Sequence, residues 1–192
     1  MKRLLLILLT GVAIVLASGA AQARDCKGVT FPEQTVVDGA ALVLNGLGLR
    51  QATMFKVNVY VAGLYVASRT EDASAVLGAD PPKKLVLHFL RDVKKSDLNN
   101  AWEKGFADNA ADMLPQIKER VNMLTSWMED MASGSLLIFA QRHEAGVEVN
   151  VNGNMRGSIP GEDFARAFFS IWLGPQPPNP GLKTGLLGGV CE

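Results

Sequence analysis

The chain has few of the residues from which metal and redox sites are built. Its 192 residues include only two cysteines and two histidines. Cys26 and Cys191 stand near opposite ends of the chain, and neither has a cysteine or histidine close to it in sequence. Because a structural zinc site draws its ligands from local pairs, this spacing excludes the common zinc motifs. We therefore predict no metal site and no other cofactor.

Several catalytic and binding signatures are also missing. The sequence contains no G-x-S-x-G, no P-loop and no H-E-x-x-H. Nineteen basic residues balance nineteen acidic ones without forming a basic stripe, so nucleic acid is not an expected partner. His88 stands alone in a predicted strand, and His143 stands in a predicted turn. Glu162 and Asp163 open a predicted helix, where the helix dipole accounts for them.

The first residues predict export. Met1-Lys2-Arg3 precedes an uncharged apolar run from Leu4 to Ala17, and Ala21-Gln22-Ala23 forms an A-x-A pattern. This layout predicts a signal peptide over residues 1–23, followed by a single domain over residues 24–192. The apolar run of 14 residues is short for a membrane span, and an uncleaved anchor is the alternative.

Export gives the two cysteines a second interpretation. In an oxidising compartment such as the periplasm, Cys26 and Cys191 are candidates for a disulfide that joins the two ends of the mature chain. Two free thiols at the ends of the chain are the alternative.

Apolar periodicity divides the chain into strands and helices. Predicted strands cover residues 29–37 with a break at Pro32, 40–44, 55–66, 84–91, 136–141, 147–151 and 155–159. Predicted helices cover 71–77, two segments between 96 and 134, 162–174 and 181–187. Thr70 and Ser96 are predicted N-caps, and Gly134 is a predicted helix end. This order predicts an α+β fold, in which a mostly antiparallel sheet carries helices on one face.

The longest predicted strand, from Phe55 to Val66, organises the candidate site. One face is predicted to be the core face, and it carries Phe55, Val57, Val59, Val61 and Tyr65. The other face begins with Lys56 and Asn58 and ends apolar, which suits a strand that opens a pocket at one end. Arg50 precedes the strand, after a predicted glycine-rich turn at 45–48. For Arg50, a structural salt bridge is the alternative to contact with a ligand.

Bulky aromatic side chains on the predicted helices face the sheet and are candidates for a cavity wall: Trp102, Phe106, Trp127, Phe168, Phe169 and Trp172. A plain helix–sheet core is the alternative. Near the strand ends, polar groups are available from Arg50, Lys56, Tyr60 and Arg91. Apolar walls with one arginine and one tyrosine suit a carboxylate-headed lipid, because the head accepts a charge-assisted bond while the tail gains dispersion contacts.

Four segments carry a family resemblance: G-L-G-L-R at 46–50, F-K-V-N-V-Y-V-A-G-L-Y-V at 55–66, F-L-R-D-V at 89–93, and I-W-L-G with L-K-T-G-L-L-G within 171–188. In order and spacing they resemble the chalcone isomerase-like family, in its bacterial exported branch, over about residues 28–188. The resemblance implies an open-faced β-sandwich, a large antiparallel sheet with a layer of helices. It also implies one of three roles: flavanone-forming enzyme, fatty-acid-binding protein or non-catalytic relative.

The family's catalytic positions map unevenly onto this chain. The arginine that steers the phenolate in the plant enzymes matches Arg50. The strand threonine falls near Tyr60 and the helix tyrosine near Leu98. The asparagine and the last threonine or serine, which contact ring hydroxyls, fall near Gly105 and Ile171. Since only the arginine is retained and nothing else stabilises a developing enolate, the resemblance implies that efficient chalcone cyclisation is absent.

Three hypotheses follow, and binding is favoured over catalysis. The first is an exported protein that binds a small apolar acid, such as a fatty acid, through Arg50, Tyr60, Arg91, Trp102 and Phe106. The second is an isomerase or intramolecular lyase that uses Arg50 on an unknown substrate. The third is a structural or partner-binding protein whose cavity is filled by its own side chains.

Overall fold

The structure, a computed structural model, describes residues 22–52, 54–78 and 82–192. Apart from its last two residues, the predicted signal peptide over residues 1–23 lies outside the described residues. Within the described ranges, no helix has both the length and the apolar character that crossing a membrane requires.

A seven-stranded antiparallel sheet forms the body of the fold. A separate hairpin of β1 (Ala23–Cys26) and β2 (Val29–Pro32) precedes it. The sheet strands then follow in chain order: β3 (Gln34–Val37), β4 (Ala40–Ala52), β5 (Val57–Val66), β6 (Lys83–Phe89), β7 (Leu136–Arg142), β8 (Gly146–Val151) and β9 (Asn154–Ile159). Every neighbouring pair is antiparallel, which confirms the predicted sheet.

Helices cover one face of this sheet: α1 (Ala73–Gly78), α2 (Lys95–Asn109), α3 (Leu114–Ser126), α4 (Glu162–Leu173) and α5 (Pro180–Leu186). All five contribute to one apolar core with β5 to β9. In α4 the buried residues Phe164, Phe168 and Trp172 recur at helical spacing and face this core. The predicted α+β architecture, with its helices on one face, is therefore confirmed.

Strand β5 is buried on both faces, which corrects the prediction of a single core face. Tyr60 and Leu64 belong to the core beneath the helices. Val61 and Tyr65 belong to a smaller cluster on the opposite face, which the β1–β2 hairpin covers. Phe55, predicted to start the core face, lies in the turn before β5 with 81% of its surface exposed. The prediction failed because the sequence does not show that a hairpin covers the second face.

The glycine-rich segment at 45–48 is not the predicted turn, since it lies inside β4. Its glycines are required because α5 crosses the strand there. A Cβ atom at Gly46 would overlap the carbonyl oxygen of Gly185, and one at Gly48 would overlap that of Leu182. These glycines therefore serve the close approach of two backbones rather than a change of chain direction.

The N-termini of two helices differ from the predicted caps. Asp72, rather than Thr70, caps α1, because its Oδ1 accepts a hydrogen bond of 2.8 Å from the backbone N–H of Ser74. Ser96 lies inside the first turn of α2, which Lys94 precedes without a side-chain cap.

Helix α3 ends at Ser126, well before the predicted stop at Gly134. The following chain is not helical, although Met128 and Met131 are buried at helix-like spacing. Met131 instead forms an isolated antiparallel bridge with Val93. The spacing of these two buried methionines therefore led to the wrong prediction that the helix continues beyond Ser126.

A disulfide joins Cys26 to Cys191, which are 165 positions apart. Cys26 is the last residue of β1, and Cys191 follows α5. The bond therefore fastens the C-terminal segment to the hairpin that covers the second face of the sheet. Of the two alternatives for these cysteines, the structure contains the linked one.

Reduction of this disulfide is expected to lower the free energy of unfolding by about 4–5 kcal/mol, because the chain-entropy model assigns a large gain to so long a loop. Urea denaturation followed by tryptophan fluorescence, with and without reductant, measures the change. The double variant Cys26→Ser/Cys191→Ser should have the same free energy of unfolding as the reduced protein, and reductant should not change it. Coincident curves for oxidised and reduced protein would contradict the expectation.

Replacing Gly48 with alanine is expected to lower the free energy of unfolding by more than about 2 kcal/mol, because the new methyl group meets the backbone of α5. The matched control is Gly78→Ala, where a Cβ atom would meet nothing within 4 Å. Thermal unfolding of both variants beside the wild type provides the comparison. Equal losses of stability in the two variants would contradict the explanation that α5 requires glycine at position 48.

Candidate ligand-binding site

A cleft of about 520 Å³ opens between the sheet and α2. Its walls are formed by the ends of β4, β5 and β6, by one side of α2, and by the segment that leads from α4 to α5. Its apolar lining includes Val59, Phe89, Leu98, Ala101, Trp102 and Ile171. This volume lies in the range of small-molecule sites.

Arg50 and Tyr60 face each other across neighbouring strands at this cleft. Arg50 of β4 is the register partner of Tyr60 of β5, and Tyr60 is in turn paired with Phe89 of β6. All three residues line the cleft. The antiparallel register therefore brings a cation, a phenol and an aromatic ring into one row at its wall.

The Arg50 guanidinium is held by neutral oxygen atoms. Its Nη1 donates to the carbonyl oxygen of Pro178 at 2.9 Å, to Oδ1 of Asn179 at 3.4 Å, and to the carbonyl oxygen of Gln51. Among the described residues, no carboxylate forms an ion pair with it. The structural salt bridge considered as the alternative is therefore not formed within the described chain.

Tyr60 is a buried, neutral phenol. Its hydroxyl oxygen accepts a hydrogen bond of 3.0 Å from Nε1 of Trp172. Burial raises the pKa of Tyr60 to about 12, although the Trp172 bond and the Arg50 charge act in the opposite direction. No acceptor for the hydroxyl proton occurs among the described residues. The group is therefore a hydrogen-bond donor at neutral pH rather than a base.

The aromatic residues of the predicted cavity divide between the cleft and the core. Trp102 lines the cleft and packs edge to face against Trp172 and Phe139, with ring centroids 5.4 and 5.9 Å apart. Phe106 does not line it, because this fully buried ring packs against both Phe164 and Phe168 in the core. The prediction of Phe106 as a lining residue is corrected, and the plain-core alternative describes it.

Charged side chains form the rim of the cleft. Arg91 is exposed at the rim, whereas Lys56 is exposed but does not line the cleft. Lys104 and Asp108, one turn apart on α2, form an ion pair of 2.8 Å. Within the described ranges, no three His, Cys, Asp or Glu side chains gather closely enough to hold a metal ion.

Comparison with known proteins identifies the family. The family model described as chalcone isomerase-like matches residues 23–188. The chain belongs to the chalcone isomerase-like family. The crystal structure of a fatty-acid binding protein of Arabidopsis thaliana resembles it with a TM-score of 0.68 at 16% identity, covering 87% of this chain and 96% of that one. At this identity the likeness shows the open-faced fold, and no curated protein matches the sequence.

The five residues onto which the family resemblance maps the catalytic positions of the plant enzymes all line this one cleft: Arg50, Tyr60, Leu98, Gly105 and Ile171. The last two are packed against each other, because a Cβ atom at Gly105 would lie 2.7 Å from Cγ2 of Ile171. Apolar packing therefore occupies the two positions at which the resemblance leads us to expect contacts to ring hydroxyls.

The contribution of residues 176–179 to the site was not predicted. Gln176, Pro177 and Pro178 line the cleft, and Asn179 bonds to Arg50. The proline-rich sequence here predicts only a rigid connection to the last helix. The asparagine followed by proline was the available signal, because such a side chain often bonds to backbone at a turn or helix start.

Tyr60→Phe is expected to lower the free energy of unfolding by about 1–3 kcal/mol, because it leaves the buried Nε1 of Trp172 without an acceptor. A double-mutant cycle with Trp172→Phe, measured by urea denaturation, isolates the Tyr60–Trp172 bond. A coupling energy near zero would contradict this role.

The pH dependence of stability tests the same hydroxyl. Since the folded-state pKa of Tyr60 is raised from 10.0 to about 12, its contribution is complete below pH 10 and is lost as the pH rises through 12. Over that interval, the loss of stability per pH unit should be smaller in Tyr60→Phe by up to about 1.4 kcal/mol. Urea unfolding at several alkaline pH values measures the slope, and equal slopes in wild type and variant would contradict the burial of this phenol.

Proposed function

We propose that this protein is an exported, bacterial member of the chalcone isomerase-like family that binds a small apolar acid, such as a fatty acid. The observation that carries the proposal is the Arg50 guanidinium, which lines an apolar cleft without a carboxylate partner in the described chain. A ligand carboxylate would accept hydrogen bonds from Arg50 and from the Tyr60 hydroxyl. Its apolar part would lie along α2, against Leu98 and Trp102.

The expected binding free energies are consistent with a carboxylate at Arg50 and an apolar chain along α2. A hydrogen bond to a charged group contributes about 1.5–3 kcal/mol, and each methylene group removed from water contributes about 0.8 kcal/mol. The carboxylate thus supplies orientation and selectivity, while the apolar part supplies much of the affinity. The structural neighbour named as a fatty-acid binding protein supports the same class of ligand.

Two features support export to the periplasm. Residues 1–23 have the layout of a signal peptide, and Cys26 is bonded to Cys191. Disulfides persist in oxidising compartments and are uncommon in reducing ones. The proposed site of action is therefore the compartment where the disulfide is maintained.

An isomerase or intramolecular lyase that uses Arg50 remains the second prediction from the sequence, and no observation favours it over binding. Tyr60, a neutral phenol, can donate a hydrogen bond to an oxyanion. Leu98, Gly105 and Ile171 offer that oxyanion no polar side chain, although such stabilisation is commonly the largest catalytic contribution. We therefore propose that efficient chalcone cyclisation is absent. The filled-cavity hypothesis is not supported, because a cleft is present beside Arg50.

The binding test combines identification of the natural ligand with a defined probe. Small molecules that co-purify with the protein from its exported compartment are identified by mass spectrometry. Affinity for decanoate is then measured by titration calorimetry. Arg50→Gln is expected to lower decanoate affinity about tenfold to a hundredfold, because the charge-assisted bond is lost.

Two matched substitutions complete this test. Arg91→Gln removes a charge at the rim of the cleft and should weaken binding less than Arg50→Gln, because Arg91 is exposed to water. Arg166→Gln removes an exposed charge on α4, outside the cleft, and should not change the affinity. Equal affinities for all four proteins, or no bound acid in any preparation, would overturn the proposed function.

A further inference from the structure

A single asparagine side chain bonds to three consecutive residues of β4. Nδ2 of Asn179 donates to the carbonyl oxygen of Leu49 at 3.0 Å. Its Oδ1 accepts from the backbone N–H of Gln51 at 3.0 Å and from Nη1 of Arg50 at 3.4 Å. The side chain therefore fixes both the backbone on either side of Arg50 and the guanidinium itself.

The topology explains why β4 needs this partner. Strand β3 pairs with β4 only as far as Val43, so within the described ranges no strand lies beside that edge of β4 beyond this residue. The register with β5 also shifts between Arg50 and Gln51. Backbone N–H and C=O groups at an unpaired strand edge, or at a shift in register, need hydrogen-bond partners from outside the sheet. The side-chain amide of Asn179 supplies one donor and one acceptor.

The segment that carries Asn179 is held at both ends. On one side, Asn109 of α2 donates from Nδ2 to the carbonyl oxygen of Gln176 and accepts from its backbone N–H, both at 2.9 Å. On the other side, α5 packs on the glycines of β4, and the disulfide at Cys191 secures the end of the chain. The position of Asn179 is therefore fixed independently of its bond to Arg50.

We propose that Asn179 is the positioning residue for Arg50. It orients the guanidinium and, because it is uncharged, leaves the positive charge for the carboxylate of the ligand. An aspartate has nearly the same shape and could accept the same two hydrogen bonds, but its charge would pair with Arg50 and compete with the ligand. The inference rests on the proposed function, since it names the residue that holds Arg50 in place for the carboxylate of an acid ligand.

The test compares Asn179→Asp with Asn109→Asp. Each substitution removes an amide donor, retains an acceptor for a backbone N–H and adds one negative charge. The lost donor bonds to one backbone carbonyl in Asn179 and to two in Asn109, but only Asn179 contacts Arg50. The readout is the ratio of affinities for decanoate and for decanamide, its uncharged analogue. A merely structural defect would weaken binding of both probes and leave this ratio unchanged.

We expect the wild type and Asn109→Asp to prefer decanoate. Asn179→Asp should lower the affinity for decanoate about tenfold or more, while the affinity for decanamide changes less than about threefold. The same ratio in Asn179→Asp and in the wild type would overturn the inference.

A ligand-free measurement separates this inference from the proposed function. In the unliganded protein, the guanidinium nitrogen signals of Arg50, assigned with Arg50→Lys, should show restricted rotation that is weakened in Asn179→Ala, where the carbonyl oxygens of Pro178 and Gln51 remain as acceptors. Signals unchanged by Asn179→Ala would overturn the positioning. Restricted rotation in a wild type that does not distinguish decanoate from decanamide would instead overturn the proposed function and support the positioning alone.

Discussion

An arginine charge that no carboxylate of the described residues neutralises is the constraint on which the site depends. Removing a guanidinium from water is costly unless its donors are occupied, and a partner carboxylate is the common solution. Here Arg50 is only partly buried, and the protein supplies carbonyl and amide oxygens instead. The guanidinium therefore keeps its own positive charge beside the cleft, and the neutral Tyr60 does not offset it.

The five residues onto which the resemblance maps the plant enzymes' catalytic positions lie together at one cleft. The antiparallel register brings Arg50 and Tyr60 there, while α2 and α4 supply the other three. Gly105 and Ile171 fill each other's space, so packing rather than empty volume occupies this part of the wall.

The regular part of the fold was predictable from periodicity. Alternation over β8 and the buried stripe of α4 depend on local spacing alone. The site was predictable in part, since Arg50 and Tyr60 are chemically distinctive residues beside a long strand. Asn179 was not, because its importance comes from an open strand edge more than a hundred positions earlier.

Other errors have the same origin in distant contacts. The glycines at 46 and 48 would look the same in sequence whether they formed a turn or made room for a crossing helix. Only the position of α5 distinguishes the two cases. Phe106 has the chemistry of a cavity wall, but its neighbours Phe164 and Phe168 come from α4, far along the chain. Local pattern identifies which residues are apolar, whereas long-range packing decides which of them a ligand can reach.

The last seventeen residues of the chain have a consequence for the order in which the molecule is completed. Oxygen atoms of Pro178 and Asn179 orient Arg50, α5 covers the strand that carries it, and Cys191 closes the disulfide. All of these groups are synthesised after the whole sheet. A chain emerging from the ribosome can therefore form its strands early, but it acquires an oriented guanidinium only after residues 178 and 179 have followed the last strand. A truncation before Pro178 would remove the groups that orient Arg50, although the shortened chain would still contain every strand of the sheet.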